Sequence, residues 1–479
     1  MKANLRLILL PVLGALFLLA GCKKLTEEHN AVGDPALKKS LMQLIDENPD
    51  LSTFAGFLRQ TGLDKELSSS KSFTVFAPQN SQMLGIDQTI LTDAARLKKL
   101  IGNHIAGEQL RTTTVTATYR VKMLSGKYLN MQGTVIGDVN ISKADQYASN
   151  GILQIVDNPL PALDNCWEYM LNNTQAPIKQ KNYVLSLFRN VFDPTNAVVI
   201  GINPSTGDPI YQPGTDSVFT NLFWNRVFDL RDEKKQFTYF MLTDGAWDTE
   251  NTKYAPYFPT STPDSSAFTT SWNVVRDFAV DTVYNPANIP DTILSKDGTK
   301  LGIDRAAIVR TVKTSNGIVY VMSKLDVMPL HKFKTIILQA ENYNSTSVDR
   351  RGNTYFRDRF NTATGFDFRD MLVLGHGVAQ FNVRYQINEM PAVKYKAYWM
   401  ALNDFQTATH QQRLAIGGPT AATFAYVTVP LLNYNEVYLG EFINSRYWPV
   451  YNVYLVAANS TTAAVNPIVC DYIKLVPGL

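Results

Sequence analysis

The sequence predicts two α+β units followed by an all-β sandwich of the jelly-roll kind, and three observations carry that prediction. The tetrapeptide Ser149-Asn150-Gly151-Ile152 returns as Ser315-Asn316-Gly317-Ile318, each leading into an apolar run that closes on Pro161 or Pro329. A second landmark, Phe73-Thr74-Val75-Phe76, returns as Phe237-Thr238-Tyr239-Phe240, in the same order and again about 165 residues on. Two landmarks repeating at one period argue for internal duplication. From Lys334 the helical periodicity vanishes, and short alternating runs separated by turn residues read as antiparallel strands.

Composition bounds the rest. At 479 residues the chain has room for roughly three domains of about 150 residues. Apolar residues make up 45%, enough for packed cores. Lys2 and Arg6 precede the apolar run Leu5 to Leu19, which reads as a secretory leader over residues 1–21, too short to span a bilayer as a stable helix. Without Lys2 and Arg6 the 45 basic residues fall to 43 against 42 acidic, a net of +1. Such a balance offers no long-range steering toward nucleic acid. Cys166 and Cys470 lie far apart and fit no metal or redox spacing, so buried free thiols are expected.

In chain order, residues 22–36 are polar and read as a tether. The first α+β unit is placed at 37–165. Leu41, Leu44, Ile45, then Leu51, Phe54, Phe57 and Leu58 recur at helical spacing, and Pro49 divides them into two helices. Leu97, Leu100, Ile101 and His104 mark another helix face. Val115 to Ile141, punctuated by Gly126, Gly133 and Gly137, reads as strands. His104 could be a ligand or an acid/base group. With no second His or Cys beside it, it reads as a helix-face histidine bonded to a nearby strand.

The second unit is placed at 178–333, with two apparent insertions. Asp193 to Asp216 is rich in Gly, Pro and Asn; Asn251 to Ser271 contains Tyr254, Tyr257 and Phe258. Loops of such length usually contact something, and Tyr and Phe suit an interface. The sandwich is placed at 335–479. Its strands are read at 335–340, 378–387, 393–402, 424–432, 450–456 and 468–476, with Phe381, Val383, Tyr385 and Ile387 on one face.

Stacking on sugar rings needs aromatic faces with polar forks nearby. Tyr398, Trp399, Tyr434, Tyr447 and Trp448 are the candidates, with Asn403 or Asn435 close by; Trp399 and Trp448 are preferred. The alternative is that they form the sandwich core. For catalysis, His376 lies between turn glycines with no GxSxG beside it. HExxH and a phosphate-cradling loop are absent from the sequence, and nothing selects a carboxylate pair. The chain therefore reads as a non-enzyme with no catalytic residues.

Several stretches resemble known families. Phe73-Thr74-Val75-Phe76-Ala77-Pro78, Asn103-His104-Ile105 and Asn150-Gly151-Ile152 resemble the boxes of fasciclin-like domains, whose family has Tyr where Asn103 stands. The second copy departs further, with Met241-Leu242-Thr243-Asp244 for Ala-Pro-Gln-Asn and no His after Phe278. Gln339-Ala340-Glu341-Asn342-Tyr343, Gly377 to Tyr385 and Asp471-Tyr472-Ile473-Lys474-Leu475 resemble carbohydrate-binding modules with a galactose-binding-like sandwich. That resemblance implies a structural calcium on Glu341 and Asp471; the alternative is two surface acids on neighbouring strands. No other cofactor is implied.

Leu19-Ala20-Gly21-Cys22 is similar to a bacterial lipobox, which implies a lipid on Cys22; an ordinary cleaved signal is the alternative. The combination resembles Bacteroidetes lipoproteins of the outer-membrane surface. It implies an accessory subunit working with a SusC-like TonB-dependent transporter and a SusD-like lipoprotein, and a glycan ligand. An adhesin for matrix or neighbouring cells is the competing expectation, and a glycoside hydrolase a third.

Overall fold

The computed structural model describes residues 38–478, so the leader, Cys22 and the tether lie outside the described residues. The chain forms two compact units. One runs through Tyr169 and takes in Leu230–Gln236 and Lys313–Gly317; the other holds Met170–Asp229, Phe237–Val312 and the chain from Ile318 onward. No helix among the described residues is long and apolar enough to cross a membrane.

The first unit is built on Phe73–Pro78, a β-branched and aromatic strand buried along its whole length. It pairs antiparallel with Ile105–Ala106 and parallel with Gly151–Val156 inside a seven-stranded sheet. Phe73 stands opposite Gly151, and a Cβ there would lie 2.0 Å from the Phe73 carbonyl oxygen, so only glycine fits. Helices cover one side of this sheet. Leu41–Asp46 is started by a capping box of Ser40 and Gln43, and Ser52–Thr61 ends on Gly62 in the left-handed conformation. A short 3-10 turn at Pro49–Leu51 separates them, where proline was expected to divide the helical pattern. Their apolar faces, with Leu97 and Ile101, pack on Phe73, Val75, Leu153 and Ile155.

In the second unit Phe237–Leu242 lies in a four-stranded sheet beside Ala279–Val280 and Gly317–Met322. Its details repeat those of the first unit. The Thr74 hydroxyl donates to the Glu108 carbonyl and accepts from Leu110 N–H; Thr238 does the same with Thr282 and Tyr284. Phe76 N–H donates to His104 O, and Phe240 N–H to Phe278 O, both at 2.8 Å. Phe278 thus occupies the place His104 has in the first copy.

The two insertions are not loops. Asn251 to Ser271 falls within helices Asp244–Tyr254 and Pro263–Val275, linked by a 3-10 turn at Ala255–Tyr257. Thr262 caps the second helix and Pro263 opens it, a start signal masked by the surrounding prolines and tyrosines. The aromatic residues expected to meet a partner meet the chain itself: Phe258 packs edge-on against Tyr447, and Tyr447 N–H donates to Pro259 O. Asp193 to Asp216 belongs to a β ribbon.

The C-terminal region is a β-sandwich of four-, five- and three-stranded sheets. Phe381, Val383, Tyr385 and Ile387 are all buried, as their alternation predicts. Five strands were missed: Ser345–Thr346, Thr354–Asn361, Phe366–Val373, His410–Ile416 and Val437–Ile443. Alternating Arg and Asp over 357–359 hid Thr354–Asn361 behind apparent loop composition. The final strand breaks at Asp471, leaving Ile468–Cys470 in one sheet and Tyr472–Gly478 in another.

Candidate binding face

The outer surface of the four-stranded sheet brings together Tyr438, which is exposed, and the half-buried Tyr398 and Tyr472. Tyr398 on Lys394–Met400 stands opposite Tyr438 on one side and Lys474 on the other, and Lys474 in turn opposes Ile337. One row of side chains therefore crosses all four strands, as alternation on a pleated sheet requires. Tyr438 is 53% exposed and its ring lies 5.3 Å from that of Tyr398. The Lys474 ammonium sits 5.0 Å over the Tyr398 ring. Tyr472 donates its hydroxyl to Glu436 at 2.6 Å, and Lys474 pairs with the same carboxylate. Burial opposes the charge on Glu436, but these two donors outweigh it and hold the carboxyl below its usual range. The result is an open aromatic surface edged by a fixed carboxylate and a fixed ammonium. A ring of C–H groups can stack there while hydroxyls bond to the edge.

The expected residues fare unequally. Trp399 is 1% exposed, so its ring fills the sandwich core and offers no face to a ligand. Tyr447 is buried against Phe258, which removes it from the surface. Trp448 is half-buried, but its ring carries the Arg446 guanidinium at 4.5 Å and stacks with Tyr451 at 5.2 Å. Tyr434 is half-buried and away from the row, its carbonyl accepting from Asn361. Asn403 is fully buried, and Asn435 sits in an exposed turn closed by Asn433. Tyr398 alone among the five lies in the row. Tyr438, Tyr472, Glu436 and Lys474 were missed; the alternation of Tyr472 and Lys474 along their strand was the available signal.

The implied calcium can be tested against the acids present. Asp471 is buried, and burial together with Asp370 and Glu341 pushes its carboxyl up to about 7. Glu341 Oε2 is buried with no hydrogen-bond partner. Asp370 is engaged by Arg357 through both oxygens. Among the described residues no three His, Cys, Asp or Glu side chains gather as metal ligands. An orphaned carboxylate oxygen beside a repelled carboxylate fits a hard cation, with main-chain oxygens needed to complete its shell.

The two histidines singled out in the sequence are structural. His104 is fully buried, its Nε2 accepting from Leu160 N–H and its Nδ1 donating to Leu100 O, both at 2.9 Å. That pattern needs the neutral ring, and burial pulls its pKa down to about 4. His376 bonds Asn466 O and Val378 N–H. Cys166 and Cys470 are free and buried, and burial raises the Cys166 thiol to about 12.

Comparison with known proteins gives matches at both ends of the described chain. Residues 49–162 match the family model of the Fasciclin domain. A FAS1 domain pair from the insect cell adhesion molecule Fasciclin I is 15% identical, covering 60% of this chain and all of that one, with a TM-score of 0.25. A family 35 carbohydrate-binding module from Clostridium thermocellum is 15% identical over 30% of this chain and all of the module, with a TM-score of 0.22. The C-terminal CBM6 of LamC from Zobellia galactanivorans is 12% identical over 30% of this chain and 99% of that one, with a TM-score of 0.20.

Proposed function

We propose that this chain is a non-catalytic surface lipoprotein that binds glycan through the outer face of its C-terminal sandwich. In this reading Cys22 carries the lipid at the outer membrane, and the protein serves as an accessory subunit beside a SusC-like TonB-dependent transporter and its SusD-like lipoprotein. The observation that supports it best is the exposed Tyr438 ring packed on the half-buried Tyr398, beside the Glu436–Lys474 ion pair. Aromatic surface costs free energy in water, and an open, rigid sheet is a poor place for chemistry but a good one for stacking a long polymer. Glu341 and Asp471 hold a calcium ion in the same domain, neutralising a repulsion that otherwise weakens the fold there.

The test is retention of the full-length protein on polysaccharides in affinity electrophoresis, comparing wild type with a Tyr398→Ala/Tyr438→Ala variant. Retardation by a polysaccharide that the variant loses supports the reading. Equal mobility of both on every polysaccharide, with adherence to matrix proteins instead, would replace it with adhesion.

A further inference from the structure

Residues 188–221 form a β ribbon whose exposed side chains are largely apolar. Phe188–Phe192 pairs antiparallel with Ser217–Asn221, and further out Val199–Ile202 pairs antiparallel with Pro209–Tyr211. The ribbon is held in shape locally. Asp193 N–H donates to Asp216 O, the Asp193 carboxylate accepts from Thr195 N–H and the Asn196 amide, and Val198 N–H donates to Thr215 Oγ1. Phe188 stacks on Phe219 at 5.1 Å, and Phe192 packs against Tyr211 at 5.2 Å. Yet Phe192, Val199, Ile200, Ile202, Val218 and Phe219 are all exposed, Ile202 at 68% and Phe219 at 64%. Both ladders are two-stranded, so each strand also keeps an unpaired edge among the described residues. From Phe188 to Asn221 the charges are Arg189, Asp193, Asp208 and Asp216, a net of −2. Proteins ordinarily protect such edges with lysine or a covering element.

We propose that this ribbon is a docking arm that seats on an apolar, non-acidic slot of an outer-membrane β-barrel protein. The inference rests on the uptake-complex reading above. An anionic bilayer is a poor occupant, because the ribbon's three aspartates outnumber its one basic residue, Arg189. The polar turn Asn203 to Asp208 at the outer end also blocks entry tip-first into lipid. The arm of a second copy would set like charges against each other. Covering the exposed side chains buries on the order of 800 Å² on this side, the per-partner share of a standard protein interface. Open edges add main-chain hydrogen bonds by strand addition.

The experiment uses the full-length chain expressed in its own host and purified from detergent-solubilised outer membrane, reading the β-barrel recovered per molecule. I200K/I202K changes two exposed side chains and leaves the thermal midpoint unchanged; it should lower recovery roughly tenfold. D208K should weaken recovery most at low salt. The Tyr398→Ala/Tyr438→Ala variant should recover the barrel as wild type does. Undiminished recovery with I200K/I202K overturns the arm and leaves the proposed function standing; no barrel with wild type overturns both. A concentration-dependent dimer in sedimentation, or flotation with phosphatidylcholine/phosphatidylglycerol vesicles, abolished by I200K/I202K, would overturn the arm's assignment in favour of self-association or lipid.

Discussion

Asn150 lends its side-chain oxygen to the N–H of Leu41, 109 positions earlier, at 2.8 Å, and Asn316 lends its own to the N–H of Cys166 at 2.9 Å. Both receiving residues are the first of a helix, where an N–H lacks an intrahelical partner. Each asparagine amide also donates to a carbonyl, that of Leu67 or of Leu230. The repeated tetrapeptide is therefore a clamp between a strand entry and a helix start. Asn150→Ala and Asn316→Ala should each cost about 2 kcal/mol, since truncation orphans buried main-chain groups. Urea unfolding checks this; a loss below a few tenths would mean that water replaces the clamp.

His104 ties stability to pH. Its folded pKa of about 4 lies below the unfolded value of 6.5, so protonation favours the unfolded chain. The stabilisation is complete above pH 6.5 and is lost as pH falls toward 4, by on the order of 3 kcal/mol. In unfolding midpoints measured from pH 7 to pH 4, His104→Gln should flatten that part of the slope.

Lys332 and Asp277 form a buried ion pair at 2.7 Å, and Ser295 donates to the same carboxylate. Burial opposes the Asp277 charge, but Lys332 outweighs it and holds the carboxyl below its usual range. Lys332→Met should destabilise by about 3–5 kcal/mol by leaving that charge unpaired. A Lys332→Met/Asp277→Leu double variant should recover much of the loss, read as the coupling in a double-mutant cycle.

Calcium should raise the thermal midpoint of the wild type and leave Asp471→Asn unmoved, and EGTA should reverse the rise. Equal midpoints with calcium and with EGTA in the wild type would remove the ion from the account.

Tyr438→Ala should weaken polysaccharide retention roughly tenfold with no change in unfolding midpoint, because the ring is exposed. Trp399→Ala should instead lower stability by about 3–5 kcal/mol, as the loss of a core indole does.

Alternation and turn chemistry determined much of this protein from sequence alone. The Phe-Thr strands, the Asn-Gly strand entries, the helix break at Pro49 and the inward row Phe381 to Ile387 are local patterns, and local patterns survive in one dimension; that each asparagine clamps a distant helix start is a tertiary contact. Tertiary structure decided which aromatics meet water. Trp399 and Tyr398 are neighbours in sequence, yet the pleat sends one into the core and the other outward, and that assignment depends on which sheet face is covered. Tyr438, Glu436, Tyr472 and Lys474 come together only through cross-strand register, which no single stretch records. Asp193 to Asp216, within the ribbon, read as a Gly-, Pro- and Asn-rich insertion because its turns dominate its composition; pairing its strands across the turns is what exposes the apolar rows.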